Sequence, residues 1–111
     1  MQVEVLTVPD CPNGPVARQR LAEALAGRDD VTVEPRVIRT PAEAARYGMH
    51  GSPTILIDGH DPFAAPGTPA SLSCRLYRDA DGRAQGAPSA EQLREVLVAG
   101  CCPSPPPALA R

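Results

Sequence analysis

The sequence predicts an α/β domain in the order β-α-β-α-β-β-α, one mixed four-stranded sheet with helices on both faces. Three observations carry this. Short Val- and Ile-rich runs alternate with stretches whose apolar residues recur at helical spacing. The run Thr54-Ile55-Leu56-Ile57 is apolar almost throughout, as expected of a strand covered on both faces. Finally, the first three strands are separated by helices, which implies parallel pairing with right-handed crossovers. The fourth strand follows the third without a helix and is expected to run antiparallel beside it.

Taken in order, residues 2–8 (QVEVLTV) alternate as a strand does. Ala17, Leu21, Ala24 and Leu25 then fall on one helical face, and Gly27 closes that helix as a left-handed cap residue. Residues 31–38 form a second strand, in which Pro35 cannot donate a ladder hydrogen bond and so points to a sheet edge. Thr40, Pro41 and Glu43 mark a helix start, as cap, first-turn proline and capping-box acid, and Gly48 ends that short helix. The third strand is 54–57, and 71–77 (SLSCRLY) is the fourth, with Leu72, Cys74 and Leu76 sharing one packed side. Asp79-Ala80-Asp81-Gly82 is a turn, and its likeness to a calcium loop is slight. Ser89 and Gln92 open a third helix with Leu93, Val96 and Leu97 as its stripe, closed by Gly100.

The chain of 111 residues divides into a domain over 1–99 and a Pro-rich, disordered tail over 100–111. Aromatics make up 3% and tryptophan is absent, so Val, Leu, Ile and Ala must build the core. With a net charge of −2 and no basic run, the chain lacks the electrostatic footprint of a nucleic-acid binder. No apolar stretch is long enough to span a bilayer, and MQVEVLTV lacks the features of a leader, so a cytoplasmic location is expected. In a reducing compartment the four cysteines are reactive, metal-binding or incidental rather than a disulfide framework.

Cys11 lies between the first strand and first helix, where backbone N–H groups lack intrahelical partners and the helix dipole is positive. Both effects favour a thiolate, while the adjacent Asp10 opposes it. A second motif, Gly51-Ser52-Pro53-Thr54, immediately precedes the third strand.

This element order, with Cys11 and the Ser52-Pro53 segment at these positions, resembles the thioredoxin-like superfamily over residues 2–98. The resemblance implies a cis peptide at Pro53 and a substrate groove shaped by Pro12, Asn13, Ser52, Pro53 and Thr54, in which the Ser52 backbone is open to an extended substrate. It also implies thiol–disulfide oxidoreductase activity with Cys11 as nucleophile. Gly14 stands where the dithiol members keep their second cysteine, which implies a monothiol mechanism or a distant resolver, for which Cys74 is the candidate. The expected partner is a low-molecular-weight thiol or a protein disulfide, and the expected state is a monomer without a cofactor.

Two other readings share the scaffold. The PDCPN, GSPTILIDG and SCRLY segments look like those of small bacterial thioredoxin-like proteins that sometimes bear the label alkylmercury lyase. That implies Cys11 and Cys74 sharing a soft ion beside Asp10, with Cys101 and Cys102 as further soft-metal ligands. The remaining reading is a peptide-binding module without thiol chemistry. His50 and His60 show no zinc-type spacing.

Overall fold

The computed structural model describes residues 1–65 and 67–99. The predicted tail, with Cys101 and Cys102, and the closing Gly100 lie outside the described residues. The elements are β1 (Gln2–Thr7), α1 (Gly14–Ala24), β2 (Thr32–Val37), α2 (Pro41–Tyr47), β3 (His50–Ser52), β4 (Thr54–Ile57), β5 (Ser71–Cys74), β6 (Tyr77–Arg78), β7 (Ala84–Gln85) and α3 (Ala90–Ala99).

β1 is the centre of a three-stranded sheet ordered β2-β1-β4. Its alternation feeds two cores. Val3 and Val5 join Ile55 and Ile57 under α1 and α3, where Ala17, Leu21, Leu93 and Leu97 complete one cluster. Leu6 and Leu56 point to the other face and pack with Ile38, Ala44 and Met49 around α2. Every one of these residues is at least nine-tenths buried, so aliphatic side chains do fill the core that the missing aromatics leave to them. β2 is the sheet edge, as Pro35 requires, and runs parallel to β1 with Pro35 opposite Val5.

The starts of α2 and α3 follow the sequence closely, whereas α1 is capped at its end by Leu25, and the expected cap Gly27, left-handed at φ +86°, stands two residues beyond it. Thr40 Oγ1 accepts from the Glu43 N–H at 3.1 Å, and the Glu43 carboxylate reaches back one residue further than a standard box, to the Arg39 N–H at 2.8 Å. At α3 the box is reciprocal: Ser89 Oγ accepts from Gln92 N at 3.1 Å and Gln92 Oε1 accepts from Ser89 N at 3.0 Å.

Three expectations are corrected. First, β4 runs antiparallel to β1, with Thr54 opposite Leu6 and Ile57 opposite Val3. The reason is length. α2 has seven residues, about 10 Å, whereas the six residues of β2 span about 20 Å. Such a helix crosses the sheet face but cannot carry the chain back along it, so the next strand starts where β2 stopped and returns.

Second, the described strands do not form one four-stranded sheet. β5 pairs with β3, in parallel, rather than antiparallel beside β4. Third, the expected strand 71–77 is split. The β3–β5 ladder ends where Pro53 supplies no N–H, and β6 turns away to pair with β7 around the Asp79 turn. There Asp79 Oδ1 accepts from both Asp81 N and Arg83 N at 2.9 Å. The split also moves the predicted packed side: Cys74 is exposed and Leu76 is 68% exposed. No helix among the described residues is long and apolar enough to cross a membrane.

Candidate functional site

Cys11 ends a turn that starts at Val8. Its N–H donates to the Val8 carbonyl at 3.3 Å, with Pro9 second in the turn and Asp10 third at φ +60°, the left-handed conformation that a type II turn demands there. A second turn follows at once, in which the Gly14 N–H donates to the Cys11 carbonyl at 3.3 Å. Cys11 is thus held through both backbone groups while its thiol remains free and half-buried.

The helix behind it starts at Gly14 with Asn13 as cap, so Cys11 precedes the first helical residue by three. Pro12 and Pro15 contribute no N–H and that of Gly14 is engaged, so this tip presents fewer open amides than the position of Cys11 suggests in sequence. The Asn13 side chain makes no cap bond. It lies instead over Gly86, where a Cβ would come within 2.4 Å of its Cγ. Gly14 is buried, and a Cβ there would stand 3.2 Å from Thr7 Cγ2. A side chain at position 14 would therefore need the Thr7 methyl to give by a few tenths of an ångström.

The Ser52–Pro53 peptide is cis. This loop meets the Cys11 turn through one bond: Ser52 Oγ accepts from the Val8 N–H at 3.1 Å. Val8 therefore links the two motifs, its N–H to Ser52 and its carbonyl to Cys11.

The groove residues turn out to be internal. Ser52 and Thr54 are 1% and 0% exposed, and the Pro53 side chain is fully buried. Thr54 Oγ1 accepts from the His50 N–H at 3.0 Å and donates to the Gly51 carbonyl. Of the five residues expected to face a substrate, only Pro12 is exposed and Asn13 is half-exposed. Cys74 stands opposite Ser52 in the β3–β5 ladder.

What covers the loop was not apparent in the sequence. The Ser71 N–H donates to the Met49 carbonyl at 3.0 Å, the Arg75 N–H to the Ser52 carbonyl at 3.0 Å, and Tyr77 Oη to the Pro53 carbonyl at 2.6 Å. Arg75 is pinned in turn. Its Nη1 lies 2.6 Å from Asp61 Oδ2, the two side chains being 11% and 4% exposed, and its guanidinium sits 4.6 Å from the Tyr77 ring centroid. Phe63 meets Tyr77 edge-on at 5.4 Å. Burial raises the Tyr77 hydroxyl well above the ordinary tyrosine range, an effect that nearby Arg75 opposes. The scarcity of aromatics was the available clue, since two of the three meet here.

A separate open pocket of about 390 Å³ brings His50 and His60 together with Leu56, Asp61 and Thr68. Sequence spacing offers no zinc-type pairing of these two histidines and could not show that they share a wall. Among the described residues no group of three or more His, Cys, Asp or Glu side chains is arranged to hold a metal ion.

The thioredoxin of Methanocaldococcus jannaschii is similar to this chain, with 36% identity over 75 residues, 65% of this chain and 87% of the relative. No family model matches the chain, and no solved structure does. With a thioredoxin covered over most of its length, and with a cysteine turn tied to a buried Ser-Pro loop ahead of β4, this chain belongs to the thioredoxin-like superfamily.

Proposed function

We propose that this protein carries out thiol–disulfide exchange with Cys11 as the nucleophile and without a partner cysteine in its own turn. The observation that supports this most is the accessible free thiol of Cys11, clamped through Val8 to the cis-proline loop. A backbone held at both N–H and C=O fixes the sulfur's starting point, which favours in-line attack on an incoming disulfide.

In the first step the Cys11 thiolate attacks one sulfur of a disulfide RSSR. The S–S bond breaks, a mixed disulfide Cys11–S–S–R forms, and RS⁻ leaves and takes up a proton. Gly14 offers no sulfur to resolve it. A small thiol R′SH then attacks the mixed disulfide, releasing Cys11 and the product R–S–S–R′, so that the protein undergoes no net redox change. Cys74, exposed and opposite Ser52, is the alternative attacking thiol among the described residues.

The experiment is mixed-disulfide trapping with turnover measured in parallel, using a small disulfide and glutathione. With adducts located by peptide mapping, Cys11→Ser should lose the fast-forming adduct and fall to the uncatalysed rate, while Cys74→Ser should form the Cys11 adduct as the parent does. An adduct formed normally in Cys11→Ser would rule out this assignment. Slower release in Cys74→Ser would replace the single-thiol cycle with a Cys11–Cys74 one.

A further inference from the structure

An extended polypeptide adds itself to a protein edge through free backbone N–H and C=O groups. At this loop the carbonyls are already engaged by the chain itself. The carbonyls of Met49, Ser52 and Pro53 accept from Ser71 N, Arg75 N and Tyr77 Oη, and Ser52 is the ladder partner of Cys74. The fit leaves no slack. Gly51 lies at φ +116°, and a Cβ there would be 2.9 Å from Arg75 Cβ and 3.1 Å from the Ser73 carbonyl. Residues 71–77 therefore press on the loop at backbone contact, and the buried Asp61–Arg75 pair with Phe63 and Tyr77 keeps them there.

We infer that segment 71–77 is an internal occupant of the edge that an extended substrate would need, and that the site consequently accepts small disulfides and excludes polypeptide ones. This inference rests on Cys11 being the exchanging thiol. A small disulfide needs only a path to the half-buried sulfur. A protein disulfide also needs backbone partners, and it would have to displace three hydrogen bonds to obtain them. The chemistry is the exchange already written, with the small disulfide as oxidant and a small thiol as the returning reductant.

The test compares 2-hydroxyethyl disulfide with insulin, using the full chain and glutathione as the reducing thiol, with Cys11→Ser as the reference. The Cys11-dependent kcat/KM for insulin should be lower by about a hundredfold or more, a difference of ~2.7 kcal/mol in transition-state binding. Comparable Cys11-dependent rates on both substrates would overturn the inference while leaving the nucleophile assignment intact. Conversely, turnover of the small disulfide that survives Cys11→Ser would defeat the nucleophile assignment itself. The double variant Asp61→Asn/Arg75→Met removes the pinning pair without stranding a buried charge and keeps an acceptor for the Phe63 N–H, which donates to Asp61 Oδ1 at 2.9 Å. It should raise the insulin rate by about tenfold. An unchanged insulin rate in this variant, once faster amide exchange at positions 75 and 77 shows the segment released, would overturn occupancy as the cause of exclusion.

Discussion

Two segments flank the cis-proline loop, each carries a cysteine, and they are held in opposite ways. The Cys11 turn touches the loop through a single bond, from the Val8 N–H to Ser52 Oγ. Segment 71–77 touches it through at least four hydrogen bonds, Arg75 Nη1 to Thr54 Oγ1 among them, with a buried ion pair and an edge-on aromatic contact behind them. Bonding capacity spent on the second side makes it structural, and sparse bonding on the first leaves a sulfur that a reagent can reach. In this protein the cysteine with the more exposed side chain sits on the more heavily anchored backbone.

Four measurements would break or sharpen that contrast. The largest effect should come from Asp61→Ala, which leaves the buried Arg75 guanidinium unpaired and should cost about 3–5 kcal/mol in urea unfolding. A loss of under about 1 kcal/mol would mean that the pair does not anchor the segment. Next is Gly51→Ala, which combines a positive φ with a backbone collision and should cost about 1–3 kcal/mol in the same assay. Unfolding at the parental midpoint would show that segment 71–77 yields easily.

The third measurement concerns pH. Tyr77 ionises at 10.0 in an unfolded chain and higher when folded. Between those values the unfolded state releases a proton that the folded state retains, so stability is full below pH 10 and falls as pH rises through and beyond it. Tyr77→Phe should flatten that alkaline limb and lose about 1 kcal/mol at neutral pH with the bond to Pro53. An alkaline limb unchanged in the variant would place its origin elsewhere.

The smallest effect belongs to the Cys11 side. Gly86→Ala collides with the Asn13 side chain rather than with backbone, and a side chain can rotate away. Stability should change by less than about 1 kcal/mol, while the alkylation rate of Cys11 shifts as its turn moves. A loss as large as that of Gly51→Ala would erase the distinction between the two sides.

How legible all this was in the sequence varied with the range of the interaction. The caps at Thr40 and Ser89, the edge position of β2 and the two aliphatic stripes around β1 were readable, because each depends on neighbours within a turn or on simple alternation. The cis-proline loop was readable as a motif, but the burial of Ser52, Pro53 and Thr54 was not. What covers them lies up to 25 positions further along the chain.

The sequence by itself determined that strands would alternate with helices, that Cys11 would stand ahead of α1, and that no cysteine would follow at position 14. Local propensity, periodicity and the identity of one residue suffice for those. Only the tertiary structure decided that β4 returns antiparallel, that strand 71–77 breaks in two, and that its parts close over the loop. Those outcomes turn on the length of a helix against the length of a strand, on the N–H that Pro53 lacks, and on a charge pair fourteen residues apart that is stable in the interior only when both members arrive together.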